Sequence, residues 1–151
     1  CLKSFNVKLA LKTRAFFMIT SSQARLIIND HVRAFIAENP IKVQFPNDSS
    51  FNPPQTEDWC RVTVQYSDTQ ASGLYKGLLQ RDYGIISIQC FTPKGYGDKS
   101  LIELADKWRA HWMGFRKPFF EVTIVNAPTE SYSEVADLYS MVLIRVSFRV
   151  N

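Results

Sequence analysis

The chain has 151 residues, 46% of them hydrophobic and 21% charged, with a formal net charge of +4. That length suits one domain with a hydrophobic core, and no apolar run approaches the roughly 18 residues that cross a bilayer as a helix. The positive balance does not mark the whole chain as a polyanion binder. Lys3, Lys8, Lys12 and Arg14 lie in an acid-free stretch, residues 1–17, and equal the entire excess, so residues 18–151 are formally neutral.

Residues 1–17 read as a basic N-terminal arm of uncertain origin. Met18 and the following "ITSSQARLIINDHV" have the form of an ordinary protein start, so the arm reads either as upstream sequence or as part of the chain. Its apolar stretch, Ala15 to Ile19, is short and lacks a leader cleavage pattern. Residues 18–151 read as a single domain.

Thr20-Ser21-Ser22-Gln23 is a capping box, with a hydroxyl at the cap and a Gln three residues on. It opens a helical pattern with Ala24, Ile27, Ile28, His31, Val32 and Phe35 on one side. Asn39-Pro40 ends that helix, because the residue before a proline is pushed out of the α region. Ile41–Phe45 is a short strand candidate, and "PNDSSFNPPQTED" is a loop by composition.

Cys60, Val62, Val64 and Tyr66 alternate with Arg61, Thr63 and Gln65, the pattern of a half-buried strand. Ser67–Gln80 reads as a loop. Arg81–Phe91 is the next strand, with Ile86, Ile88 and Cys90 on one face. Ser100-Leu101-Ile102-Glu103 reads as a second capping box. Leu101, Leu104, Ala105, Trp108 and Trp112 follow at helical spacing, and Gly114 closes the helix. Phe119–Asn126 and Tyr139–Val150 are the last strands. In the final one Val142, Ile144, Val146, Phe148 and Val150 share a face. Strands joined by turns rather than crossover helices predict an α+β fold, a mainly antiparallel sheet with two helices packed on one face.

Catalytic chemistry finds little support in these residues. Gly95-Tyr96-Gly97 sits between a strand and a helix, as a phosphate loop does. However, the third glycine of a dinucleotide fingerprint is missing, and Asp98-Lys99-Ser100 lacks the glycine of a P-loop. The expected role is a turn whose glycines take positive φ. His31 and His111 fall on separate helices and are expected to be packed or solvated. Cys1, Cys60 and Cys90 are odd in number, without C-x-x-C spacing, and the internal two are expected to be buried free thiols in a reducing compartment. No metal spacing, cofactor motif or nucleophile context stands out, so no enzyme activity is expected.

Two features point to binding. "RDYGIISI", Arg81 to Ile88, is similar to the first ribonucleoprotein strand of RNA-recognition motifs, but Ile85 and Ile88 stand where stacking aromatics belong. The segment "SDTQASGLYKGLLQ" carries Leu74, Tyr75, Leu78 and Leu79 in an otherwise polar stretch. These side chains either cover the domain's own sheet or form a subunit or partner interface, and Trp59 and Phe51 are candidates to join them in either role.

The ordered pattern resembles bacteriophage tail-completion proteins of the lambda-type tail-terminator kind over roughly residues 18–151. It comprises the first amphipathic helix, the loop "FPNDSSFNPP", and Trp59-Cys60-Arg61-Val62-Thr63-Val64. The block "RDYGIISIQCFTPKGYGDKSLIELADKW" and the long closing strand complete it. The resemblance implies a structural virion protein at the head-proximal end of the tail, assembled in the host cytoplasm. Such proteins form a hexameric ring on the tail tube protein, end tube polymerisation and meet a neck or head-completion protein. DNA passes through the lumen without specific binding, and no membrane or cofactor is involved. The alternative reading is a nucleic-acid-binding module using the Arg81–Ile88 strand and the basic arm.

Overall fold

A computed structural model describes residues 19–71, 80–95, 97–130 and 139–151. These form helix α1 (Ser21–Glu38), strands β1 (Lys42–Gln44), β2 (Trp59–Ala71) and β3 (Gln80–Pro93), and helix α2 (Lys99–Trp112). Strands β4 (Arg116–Lys117), β5 (Phe120–Val125), β6 (Thr129–Glu130) and β7 (Tyr139–Val150) follow. The sheet runs β1-β2-β3-β7-β5-β4, with β6 also paired to β7. Only the β1–β2 pairing is parallel. The expected α+β class and mainly antiparallel sheet are present.

Both helices pack on one sheet face. Ala24, Ile28, Val32 and Phe35 of α1 and Leu101, Ala105, Trp108 and Trp112 of α2 meet a carpet of strand residues. The carpet is Cys60 and Val62, then Ile86, Ile88 and Cys90, then the alternate residues Val142 to Val150 of β7. The two thiols are free and buried. The Trp108 indole N–H donates to Cys60 Sγ at 3.3 Å, tying α2 to the sheet centre. The α1 capping box is complete: the Gln23 N–H donates to Thr20 Oγ1 (3.1 Å), and the Thr20 N–H donates to Gln23 Oε1 (2.8 Å).

The two helices also hold each other through their histidines. The rings of His31 and His111 stack at 3.8 Å. Each Nε2–H donates to the other's backbone carbonyl, at 2.8 and 2.7 Å. The His111 carbonyl lies in the last turn of α2, where helical partners run out, so the His31 ring serves as a tertiary cap. Burial, with the nearby His111 and Lys117 charges, lowers the His31 pKa to about 4 despite the hydrogen bond to His111 that opposes it.

Several expectations are corrected. Residues 67–71 and Gln80 are strand, not loop, and pair up to Ala71↔Gln80. Ser100 is not a cap: α2 begins at Lys99, behind Asp98, whose side chain makes no capping bond. Phe119 belongs to the β4–β5 turn, not to the strand. It takes φ 66° after Pro118, a conformation uncommon for a bulky residue. Gly95 (φ 96°), Gly97 (φ 76°) and Gly114 (φ 73°) take the left-handed turns expected of them.

Candidate subunit interface

Strand alternation divides the sheet into a dry face under the helices and a second face that is covered only at one end. There Trp59, Phe91, Tyr139 and Met141 form a small separate core, with Phe51 of the preceding loop packed on it. The Tyr139 hydroxyl donates to the Pro54 carbonyl (2.8 Å) and pins the loop down. Trp59 is 0% exposed and stacks on Phe91 at 4.1 Å. Of the two roles open to Trp59, own-sheet cover or subunit or partner interface, its packing is that of own-sheet cover: the ring is surrounded by its own chain. Leu74, Tyr75, Leu78 and Leu79 lie outside the described residues.

Beyond this small core the second face is open and polar. Register places four cross-strand rows on it. They are Arg61–Gln89–Leu143, Thr63–Ser87–Arg145, Gln65–Ile85–Ser147–Ile124, and Asp68–Tyr83–Arg149–Glu121–Arg116. Ile124, at 60% exposure, is the most accessible apolar side chain there. Arg61 leans its guanidinium over the Trp59 and Phe91 rings, 5.5 Å from each, and donates from Nε to Gln44 Oε1 at 2.8 Å. Arg149 and Glu121 form an ion pair. Hydroxyls, amides and arginines in alternate strand positions make a surface suited to water or to a polar partner.

Both sheet edges are also open in part. β1 covers β2 from Trp59 to Arg61, and among the described residues no strand pairs with the outer side of residues 62–71. On the far side β4 pairs with β5 at Phe120 and Glu121, and the Val122 N–H donates to the Phe115 carbonyl (3.0 Å). An uncovered edge presents backbone N–H and C=O groups that another strand can pair.

The Arg81–Ile88 strand also has its geometry explained. Tyr83 and Ile85 face the open side, while Ile86 and Ile88 are core. Gly84 is required by packing: a Cβ there would lie 2.4 Å from Phe148 Cζ. Its resemblance to an RNA-binding strand therefore has a structural cause at the glycine. A cleft of about 600 Å³ between the end of α1 and the start of α2 is lined by Glu38, Glu57, Asp58 and Glu103 together with Lys42 and Lys107. Lys42 already faces Glu57 at 3.8 Å, both well exposed, so these charges do not converge on one ligand. Among the described residues no cluster has metal-binding geometry, and no helix is long and apolar enough to cross a membrane.

No protein-family profile and no curated protein matches the chain. Among solved structures 17 chains match. One has a TM-score of 0.55 at 18% identity, covers 82% of this chain and 95% of its own, and bears a name that states no activity. A likeness at that identity establishes the fold, an α+β domain built on a mostly antiparallel sheet.

Proposed function

We propose that this chain is a phage tail terminator: a structural subunit that closes into a ring on the head-proximal end of the tail tube. The ring ends tube polymerisation and offers a surface to a neck or head-completion protein. DNA passes through its bore without specific binding, and the subunit performs no catalysis. The observation that supports this reading best is the one-sided covering of the sheet. Two helices pack on one face, while the other is polar, bears Arg61, Arg145 and Arg149, and ends in edges that the described residues cover only in part. A subunit of that shape has a natural outside and a wet inside. The sequence adds Leu74, Tyr75, Leu78 and Leu79, in the segment that links β2 to β3, as apolar material for a contact between copies.

Native mass spectrometry and electron microscopy, with and without purified tail tubes, test the proposal. The expected species is a closed ring, six subunits by family resemblance. A chain that stays monomeric at high concentration and also fails to cap tubes refutes it. Changing Leu78 and Leu79 together to Asp is expected to block assembly while leaving the melting temperature of the monomer in place. A sharp fall in that temperature would assign them to the chain's own core instead.

The second reading, nucleic-acid binding, draws on Tyr83 beside Arg149 on the open face. Tight, sequence-dependent RNA binding that survives deletion of residues 1–17 would favour it. Weak, salt-sensitive binding that disappears with the arm favours the ring.

A further inference from the structure

The two open edges of the sheet carry opposite charge at the same level of the strand ladder. One cross-strand row, fixed by register, reads Asp68–Tyr83–Arg149–Glu121–Arg116. Asp68 stands at the β2 edge and Arg116 at the β4 edge. The bulge between Tyr66 and Asp68 matters here, because it shifts β2 by one residue and turns Asp68 onto the open face. Inside the row Arg149 and Glu121 neutralise each other. At its ends Asp68 and Arg116 are exposed, and neither makes an ion pair with the described residues. In the adjacent row, on the helix side of the sheet, neutral Thr69 stands at the β2 edge and donates to Asp82 (2.8 Å), with Lys117 at the β4 edge. Thr63 to Ala71 contains neither proline nor lysine, and the bulge and Asp68 are the features that mark this edge.

We propose that a second copy of this chain docks edge to edge, the β2 edge of one subunit against the β4–β5 edge of the next, with Asp68 facing Arg116 across the contact. This rests on the ring reading and specifies its interface. Copies related by rotation about an axis along the strands keep their strand direction. β2 of one copy then runs parallel to β4 of its neighbour, the strand that carries Arg116, and antiparallel to β5 behind it, and with no offset along the strands Arg116 meets Asp68. The contact is heterologous, using different patches on the two partners, and such contacts generate closed rings when the rotation closes. The charge alternation of the row then continues unbroken from subunit to subunit. With helices outside, the bore is lined by Arg61, Thr63, Gln65, Ser87 and Arg145.

The test is a charge swap on the full chain, read by native mass spectrometry across a concentration series. Asp68→Lys and Arg116→Glu each place like charges in contact and are expected to raise the concentration for half-assembly by about tenfold or more. The double variant Asp68→Lys/Arg116→Glu restores opposite charges and is expected to return within about threefold of the wild type. Circular dichroism melts should match the wild type throughout, since both side chains are exposed. Single variants that assemble normally overturn the contact, and so does a double variant that is no better than either single. A wild-type chain monomeric up to about millimolar concentration also overturns the edge contact, while the ring reading then stands or falls with the tail-tube experiment. Rings in the wild type with no response to the swap refute the edge alone.

Discussion

Gly84 offers a sharp test of how the sheet is packed. It lies opposite Tyr66 on β2 and Phe148 on β7, and the Phe148 ring lies across it. A Cβ at this position would sit 2.4 Å from Cζ and 2.7 Å from Cε1 of Phe148, and 3.0 Å from the Gln65 carbonyl oxygen. The ring has little room to retreat: it stacks on Phe120 at 5.3 Å and meets Tyr66 edge-on at 5.6 Å. Gly84→Ala is thus an overpacking change, with a cost of about 1–3 kcal/mol. Reduced freedom of the unfolded chain returns about 0.4–1 kcal/mol. The net loss of about 1–2 kcal/mol corresponds to a fall of roughly 2–8 °C in melting temperature for a domain of this size. Phe148→Leu should create the missing space, so melts of the two single variants and the double form a cycle. The coupling is expected to be favourable by about 0.5 kcal/mol or more. Gly84→Ala at wild-type stability, or strictly additive effects, would refute the packing argument. Reduced RNA binding at unchanged stability would return Gly84 to the nucleic-acid reading.

The remaining predictions address other contacts. His31 has a folded pKa of about 4 against an ordinary value of 6.5, so between these values the unfolded chain binds the proton more readily than the folded one. Its contribution is complete above pH 6.5 and is lost as pH falls toward 4. His31→Gln retains an N–H donor for the His111 carbonyl without a titrating ring, so denaturant unfolding between pH 5 and 6.5 should show a flatter slope than wild type, and an equal slope would refute the assignment. Trp59→Ala is expected to cost about 3–5 kcal/mol in the isolated subunit, because it empties a fully buried site; normal melting with failed assembly would instead restore Trp59 to an interface. Tyr139→Phe removes the bond to Pro54 and should cost about 1 kcal/mol, with faster amide exchange confined to residues 51–58.

Burial decides which parts of this fold are legible in its sequence. The first helix announces itself through Thr20, Gln23 and Asn39-Pro40, and β7 through five apolar residues on one face. Residues 67–70 carry no such mark, because all four are exposed and periodicity is written only where one side is dry. The start of α2 is not legible because a hydroxyl three residues before Glu103 fits the capping pattern, whereas the chain turns at Gly97 and enters the helix two residues earlier, behind Asp98. β4 and β6, at two residues each, are too short to show any period. Trp59 borders a polar loop in sequence, and only the pairing Trp59↔Phe91↔Met141 shows a second core on the far face. A faint signal did exist: Tyr139 and Met141 sit on the face of β7 that otherwise carries Ser147 and Arg149. The charged edges had no sequence signal, since Asp68 and Arg116 meet in one row only through four successive registers and a bulge.

The proposed ring would draw on two sources of association, and they differ in physical character. The edge contact joins backbone groups and a charge pair on a wet face, where the exposed apolar residue is Ile124 rather than a continuous patch. Its attraction is electrostatic at the surface, and salt should weaken it over a Debye length of about 8–10 Å at ordinary ionic strength. Leu74, Tyr75, Leu78 and Leu79 would act instead by removal of apolar surface from water, which excluded salts such as sulfate strengthen. A ring held chiefly by edges should therefore dissociate as sodium chloride rises, whereas one held chiefly by these leucines should tighten as sulfate rises. Because every subunit in a heterologous ring uses each patch once, weakening either is repeated at every interface. The salt response of the intact assembly thus ranks the two contacts before any residue is changed.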